Sequence, residues 1–175
     1  PLAIIRSKLD LLIQDENLSE DQSKTMQSAY SAIEKLSRLN QSLLLLAKIE
    51  NNQYAETTRI NLMDKITEKL NAFHELWHNQ NISVSSSLKD VSVDLNSELT
   101  DILLNNLLSN ATRHNFAGGS IKIILKEKEL EISNSSLEKE LNSQKMFLRF
   151  FSQDKQSRYN GLGLSIIKRI SDVSG

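Results

Sequence analysis

The chain has 175 residues, enough for one domain or for a small domain with a helical appendage. It carries 21 Lys and Arg against 22 Asp and Glu, a net charge of -1, so charge alone points neither to nucleic acid nor to an anionic membrane surface. Cysteine is absent, which excludes a disulfide framework and cysteine-ligated zinc or iron–sulfur centres, and no apolar run approaches the ~20 residues that span a bilayer.

Pro1, the only proline, stands at the first position of a predicted helix, where a missing N–H costs nothing. Leu2, Ile5, Leu9 and Leu12 then recur at three- and four-residue spacing, the seam of an amphipathic helix. Asp15-Glu16-Asn17-Leu18 breaks it, and Ser19-Glu20-Asp21-Gln22 has the spacing of a capping box that starts a second helix. That helix is predicted over Glu20–Glu50. Met26, Ile33, Leu36, Leu43, Ala47 and Glu50 follow a rough heptad, Leu39 and Leu46 widen the stripe, and Asn40 falls on the seam, where it could fix register. Two antiparallel helices with one apolar stripe each cannot bury those stripes alone. Dimerisation through residues 1–50 into a four-helix bundle is the expected solution.

A polar joint at Asn51-Asn52-Gln53 and Thr57-Thr58 separates an expected hairpin unit, 1–57, from a second unit, 58–175. The second unit reads as a short strand at Arg59–Leu62 and a helix over Leu62–Asn79 with Leu62, Ile66, Leu70, Phe73 and Trp77 inward. Ile82-Ser83-Val84 and Val91-Ser92-Val93-Asp94 alternate like strands. A helix from Asn96 to His114 follows, capped by Asp94. Gly118-Gly119 ends it, and Ile121–Leu125 with Leu130–Ile132 forms a predicted hairpin. Leu141–Phe151 is apolar-rich, Gln153–Asn160 is polar and read as flexible, and Gly161–Val173 opens on glycines and becomes an amphipathic helix. Segregated helices with antiparallel strands predict an α+β fold: a long two-helix hairpin followed by an α/β sandwich.

Two constellations carry chemistry. In Asn105-Asn106-Leu107-Leu108-Ser109-Asn110-Ala111-Thr112-Arg113-His114, Asn106 and Asn110 share a helical face and Arg113 follows on that side, while Leu103, Leu104, Leu107 and Leu108 are expected to pack toward the sheet. Amide oxygens are hard donors suited to a magnesium shell, and the guanidinium can neutralise phosphate. In Asn160-Gly161-Leu162-Gly163-Leu164-Ser165-Ile166-Ile167-Lys168-Arg169-Ile170, glycines at a helix mouth let backbone N–H groups approach an anion, with Leu164, Ile167 and Ile170 predicted to bury one face behind them.

These stretches resemble the boxes of sensor histidine kinases. Asn106-Leu-Leu-Ser-Asn110-Ala111 is similar to the N box, Phe147-Leu-Arg149-Phe150-Phe151 to the F box, Gly161-Leu-Gly-Leu-Ser-Ile-Ile-Lys to the second glycine box, and Pro1-Leu-Ala-Ile-Ile-Arg to the residues after the phosphoacceptor H box. The resemblance covers nearly the whole chain and implies ATP and Mg²⁺ as cofactors, with phosphoryl transfer to a histidine on the hairpin and then to an aspartate of a response-regulator receiver domain. It implies Asn110 as the magnesium ligand and Asn106 beside the phosphates. Arg113 stands where the family often has Lys, and His114 at a nucleotide-lining position, where its residue type reads as packing or stacking. Gly161, Leu162, Gly163 and Leu164 would form the closing segment, and Phe147, Arg149, Phe150 and Phe151 the lid anchor. Arg149, Lys155 and Arg158 read as solvated, the γ-phosphate and the hairpin being their other contacts.

The chain departs from the family pattern twice. The first glycine box reads Ile132-Ser133-Asn134-Ser135-Ser136, with Asn134 at the position of the adenine-binding Asp and Ser136 at that of the first Gly; an Asn oxygen still accepts the adenine amino group without full charge. The phosphoacceptor is implied upstream of Pro1, and none of His74, His78 and His114 occupies its context. Both ends read as cuts within a longer protein. Family members are often membrane-tethered, so the resemblance implies a cytoplasmic domain of a membrane-anchored bacterial sensor, with membrane contact only through segments outside this chain and no nucleic-acid partner. The other readings are a degenerate kinase serving as a dimeric scaffold and an ATPase of the wider superfamily without a phosphoacceptor.

Overall fold

A computed structural model describes residues 2–14, 18–137, 146–149 and 161–174. Helix α1 (Leu2–Ile13) and helix α2 (Glu20–Glu50) form the hairpin. The capping box is formed as expected: the Ser19 Oγ accepts from the Gln22 N–H at 3.2 Å, and the Gln22 Oε1 accepts from the Ser19 N–H at 2.9 Å. At the other end Asn51 caps α2 and Asn52 takes the left-handed conformation, φ 55°, that short amide side chains tolerate. No residue of α1 is buried. Ile5, Leu12, Leu36 and Leu43 of the seam are exposed, as is Asn40. The stripe becomes buried only at the end of α2, through Leu46 and Ile49; Ala47 and Glu50 of the expected heptad face out.

The remaining elements are β1 (Thr58–Asn61), α3 (Leu62–Asn79), β2 (Ser83–Leu88), β3 (Ser92–Leu95), α4 (Ser97–Arg113), β4 (Ser120–Leu125), β5 (Leu130–Asn134) and α5 (Gly163–Ser174). β1 and β3 pair antiparallel in a two-stranded sheet. The second sheet has the order β2-β4-β5. Its hairpin, β4 with β5, is antiparallel as predicted, but β2 and β4 run parallel, with Val84 opposite Ile121 and Leu88 opposite Leu125. The expectation of antiparallel strands throughout is corrected there. The chain leaves β2, passes through β3 and α4, and re-enters at β4 in the same direction, the kind of crossover that a parallel pair requires.

One core lies between that sheet and helices α3 and α4: Ile66, Trp77, Ile82, Leu104, Leu108, Ala111, Ile121, Ile123 and Leu125 are buried together, with Leu62, Leu70 and Phe73 against them. The inward stripe predicted for α3 is thus met in full. A second cluster joins Leu46 and Ile49 of α2 to Leu99 of α4 and to Leu162, Ile166 and Ile170 at α5. Leu103 packs on this second cluster rather than toward the sheet. The predicted cap of α4 also shifts. Asn96, not Asp94, caps it, its Oδ1 accepting from the Leu99 N–H at 3.0 Å. Asp94 is still in β3, paired with Arg59 at 3.1 Å. Among the described residues no helix is long and apolar enough to cross a membrane.

Candidate functional site

Burial of Leu104, Leu108 and Ala111 against the sheet orients α4. The helical period then leaves Asn106, Asn110 and Arg113 along a neighbouring strip. Asn106 donates its Nδ2 to the Ile102 carbonyl at 2.8 Å, which fixes its Oδ1 outward. That oxygen lies 3.4 Å from where a Cβ on Gly163 would stand, so the two helices approach to van der Waals distance at this mouth. One turn on, the Asn110 Oδ1 accepts from the Arg113 Nη2 at 2.8 Å, and the Arg113 Nε donates to the His114 Nε2 at 3.3 Å. The strip therefore presents a hard oxygen donor already held against a cation, a donor set that suits a metal beside a polyphosphate.

The opposite wall is built by α5. Gly161 adopts φ 62°, and Leu162 is sunk 2 % exposed into the cluster with Leu46 and Ile49, leaving its backbone as the part that can face the site. The buried face of α5 comprises Ser165, Ile166, Ile167 and Ile170. Leu164, predicted as part of that face, is only half-buried, because Ile166 lies one turn from both Leu162 and Ile170 and takes the seam. At the third side Asn134 ends β5. Its Nδ2 donates to the His114 carbonyl at 3.2 Å and the Ser135 carbonyl at 2.9 Å, so the Oδ1 is the atom left to accept. Of the residues expected from sequence to anchor a lid, Phe147 is 38 % exposed. Arg149, read from sequence as solvated with the hairpin among its other contacts, stays half-exposed and pairs with Glu50 of the hairpin helix α2 at 2.5 Å. Phe150 and Phe151, with Lys155, Arg158 and Asn160, lie outside the described residues.

A polar knot beneath the site escapes sequence reading. The Ser135 Oγ donates to the Asn115 Oδ1 at 2.9 Å and accepts from the Ser120 N–H at 2.7 Å, while Asn115 donates to the Ser120 carbonyl at 3.0 Å. Gly119 is required there, since a Cβ would run into Asn115 and lie 2.5 Å from the Ser135 Oγ. The local signal was the Gly118-Gly119 pair; its partners are set by folding. The knot ties the end of α4 to the start of β4 and the end of β5, so Arg113, His114 and Asn134 are positioned together.

Residues 96–175 match the family described as histidine kinase-, DNA gyrase B-, and HSP90-like ATPase. The chain is 25 % identical over 182 residues to the heme sensor protein HssS of Staphylococcus saprophyticus, an alignment of 99 % of this chain and 39 % of that protein. It is 24 % identical over 188 residues to the sensor histidine kinase YcbM of Bacillus subtilis, covering 100 % of this chain and 60 % of YcbM. It thus spans less than two thirds of either relative. Among solved structures, the catalytic domain of histidine kinase ThkA superposes with a TM-score of 0.58 at 28 % identity, over 68 % of this chain and 82 % of that one. ThkA in complex with the response regulator protein TrrA superposes with a TM-score of 0.62 at 22 % identity, over 99 % and 51 %. The order of hairpin, core and glycine-mouthed helix agrees with these likenesses: the chain is similar to histidine kinase catalytic cores, and residues 96–175 carry the match to the ATPase family.

Proposed function

We propose that the chain uses Mg²⁺-ATP to phosphorylate a histidine on a helical hairpin, from which the phosphoryl group passes to an aspartate of a response-regulator receiver domain. The carrying observation is the apposition of Asn106 to Gly163, which puts the amide strip of α4 across from the glycine mouth of α5. In this reading the Asn110 Oδ1 holds magnesium and Asn106 faces the phosphates. Arg113 leaves Asn110 to neutralise phosphate charge, and the Asn134 Oδ1 accepts from the adenine amino group. His114 lines the base, and the backbone of Gly161–Leu164 closes over the phosphates, with Phe147, Arg149, Phe150 and Phe151 anchoring the lid. The bound nucleotide supplies the phosphoryl group and the metal neutralises its charge; the protein contributes positioning and fixed dipoles.

The hairpin, residues 1–57, serves as dimerisation and phosphotransfer unit, and 58–175 as the ATP-binding unit. The exposed seam of Ile5, Leu12, Leu36 and Leu43 supports a second copy packing there. The phosphoacceptor belongs to the helix upstream of Pro1, and a response regulator is the partner, as in the ThkA–TrrA complex. We place the chain on the cytoplasmic side of a membrane-anchored bacterial sensor.

Calorimetric titration with Mg²⁺-ATP tests the reading. Asn110→Ala is expected to abolish Mg²⁺-dependent binding while the protein stays folded, and an unchanged affinity contradicts the assignment. Asn134 and Ser136, standing where the family has Asp and Gly, favour one rival, a dimeric scaffold without useful nucleotide affinity. Folded wild-type protein that gives no heat at millimolar nucleotide decides for it. Nucleotide turnover by a longer chain with no phosphohistidine formed decides for an ATPase without a phosphoacceptor.

A further inference from the structure

The fold uses only one side of α3. Ile66, Phe73 and Trp77 enter the core, and Phe73 packs on Trp77 with ring centroids 5.3 Å apart. On the outward side His74 and His78 stand one turn apart, both exposed, with ring centroids 6.3 Å apart and planes inclined by 22°. Neither ring belongs to the site between α4 and α5. We infer that His74 and His78 form a two-histidine chelate for one first-row divalent transition ion at the surface of α3.

Helical geometry places residues four apart on one face, so both imidazoles can reach a common point. Metal–nitrogen bonds of about 2.0–2.1 Å require the rings to converge by roughly an ångström. Rotation of two exposed side chains between staggered wells supplies that movement without disturbing the backbone. The segment reads His74-Glu75-Leu76-Trp77-His78, the helical spacing by which two histidines bind zinc in metallohydrolases. Among the described residues, however, no group of three or more His, Cys, Asp and Glu converges. The third protein ligand of a catalytic zinc centre is therefore not supplied there, and water completes the shell. The arrangement is a binding site, not a hydrolytic one.

Imidazole nitrogen selects zinc, copper and nickel over magnesium and calcium, which take oxygen. The chelate is thereby chemically separate from the Asn110 site proposed for magnesium. An ion across His74 and His78 staples the last turns of α3, directly behind the buried Trp77, whose Nε1 donates to the Thr112 Oγ1 of α4 at 2.8 Å.

The experiment uses the full chain stripped with chelator. Zn²⁺ is titrated by calorimetry, and Cu²⁺ by quenching of Trp77, the only tryptophan. The expected result is one ion per chain, Cu²⁺ tighter than Zn²⁺, and no competition from excess Mg²⁺. His74→Ala and His78→Ala each weaken Zn²⁺ binding by on the order of tenfold or more, and His114→Ala leaves it unchanged. Saturating Zn²⁺ raises the melting temperature of the wild type and not of the two α3 variants. His74→Gln and His78→Gln repeat the test with a polar side chain in place, should an alanine variant lose structure. Wild-type affinity in the α3 variants, loss of binding in His114→Ala, or displacement by Mg²⁺ overturns the inference.

Discussion

At the edge of the core that α3 and α4 share, one carboxylate ties the two helices together. Asp101 accepts from the Lys65 Nζ at 3.2 Å and 2.9 Å through its two oxygens, and pairs with the Lys69 Nζ at 2.8 Å. The three side chains retain 31 %, 24 % and 13 % of their exposure. Asp101→Asn keeps the shape and removes the charge. Hydrogen bonds to charged groups contribute about 1.5–3 kcal/mol each, but both amines can turn to water, so the expected loss is about 2 kcal/mol for the pair together. For a chain of this size that lowers Tm by about 4–8 °C. The effect carries its own pH signature. Burial pushes the Asp101 carboxyl up, but hydrogen bonds from Lys69 and Lys65 and their charges more than reverse this and hold it below the usual carboxylate range. Its contribution is therefore complete above the unfolded value of about 3.9 and disappears as pH falls through the lower folded value. On the basic side, hydrogen bonding to Asp101 outweighs the opposing burial and raises Lys69. That contribution holds below the usual lysine value of about 10.4 and fades as pH rises through the raised one. Urea unfolding followed by circular dichroism should show the full gap between wild type and Asp101→Asn near pH 7, and a gap that shrinks as pH falls from about 3.9 through the lowered folded value. A gap that persists unchanged in acid, or one absent at neutral pH, refutes the reasoning.

Two neighbouring glycines separate steric from backbone effects. Gly119→Ala forces a Cβ into Asn115 and Ser135 and should cost about 2–3 kcal/mol in urea unfolding. Gly118→Ala meets nothing within 4 Å but must hold φ 84°, and should cost only about 1–2 kcal/mol. Trp77→Phe removes the donor to Thr112 inside the core and should destabilise by about 1–2 kcal/mol, and a double-mutant cycle with Thr112→Val should recover a coupling of about 1 kcal/mol. Arg113→Ala, on an exposed side chain, should shift stability by no more than about 0.5 kcal/mol. In the proposed site it should weaken Mg²⁺-ATP binding by about tenfold or more, read by calorimetry as the loss of a charge-assisted contact.

What the sequence made legible follows from the range of the interactions involved. The capping box at Ser19 and Gln22 and the inward stripe of α3 are decided within one or two helical turns, and the structure has them as read. The strip of Asn106, Asn110 and Arg113 was legible for a related reason. Leu104 and Leu108 announce the buried side of α4, so amides recurring on another face stand out. The parallel pairing of β2 with β4 depends on where a crossover re-enters the sheet, and no local pattern encodes that. Asp94 and Asn96 are both good caps. The choice between them was made by β3, which keeps Asp94 extended opposite Arg59 and hands the cap to the next free amide.

The end of α2 carries the same argument into the site. On α2 alone, Leu46 only widens a stripe and Ile49 lies off the heptad. Both are buried because Leu162, with Ile166 and Ile170 of α5, arrives from far along the chain. That contact is what buries Leu162 between the two glycines, and so fixes where their backbone can face Asn106. The glycines at the mouth of α5 were readable from the local sequence pattern. The position of that mouth is a tertiary fact, supplied by a hydrophobic junction whose two halves are separated by more than 110 residues of sequence.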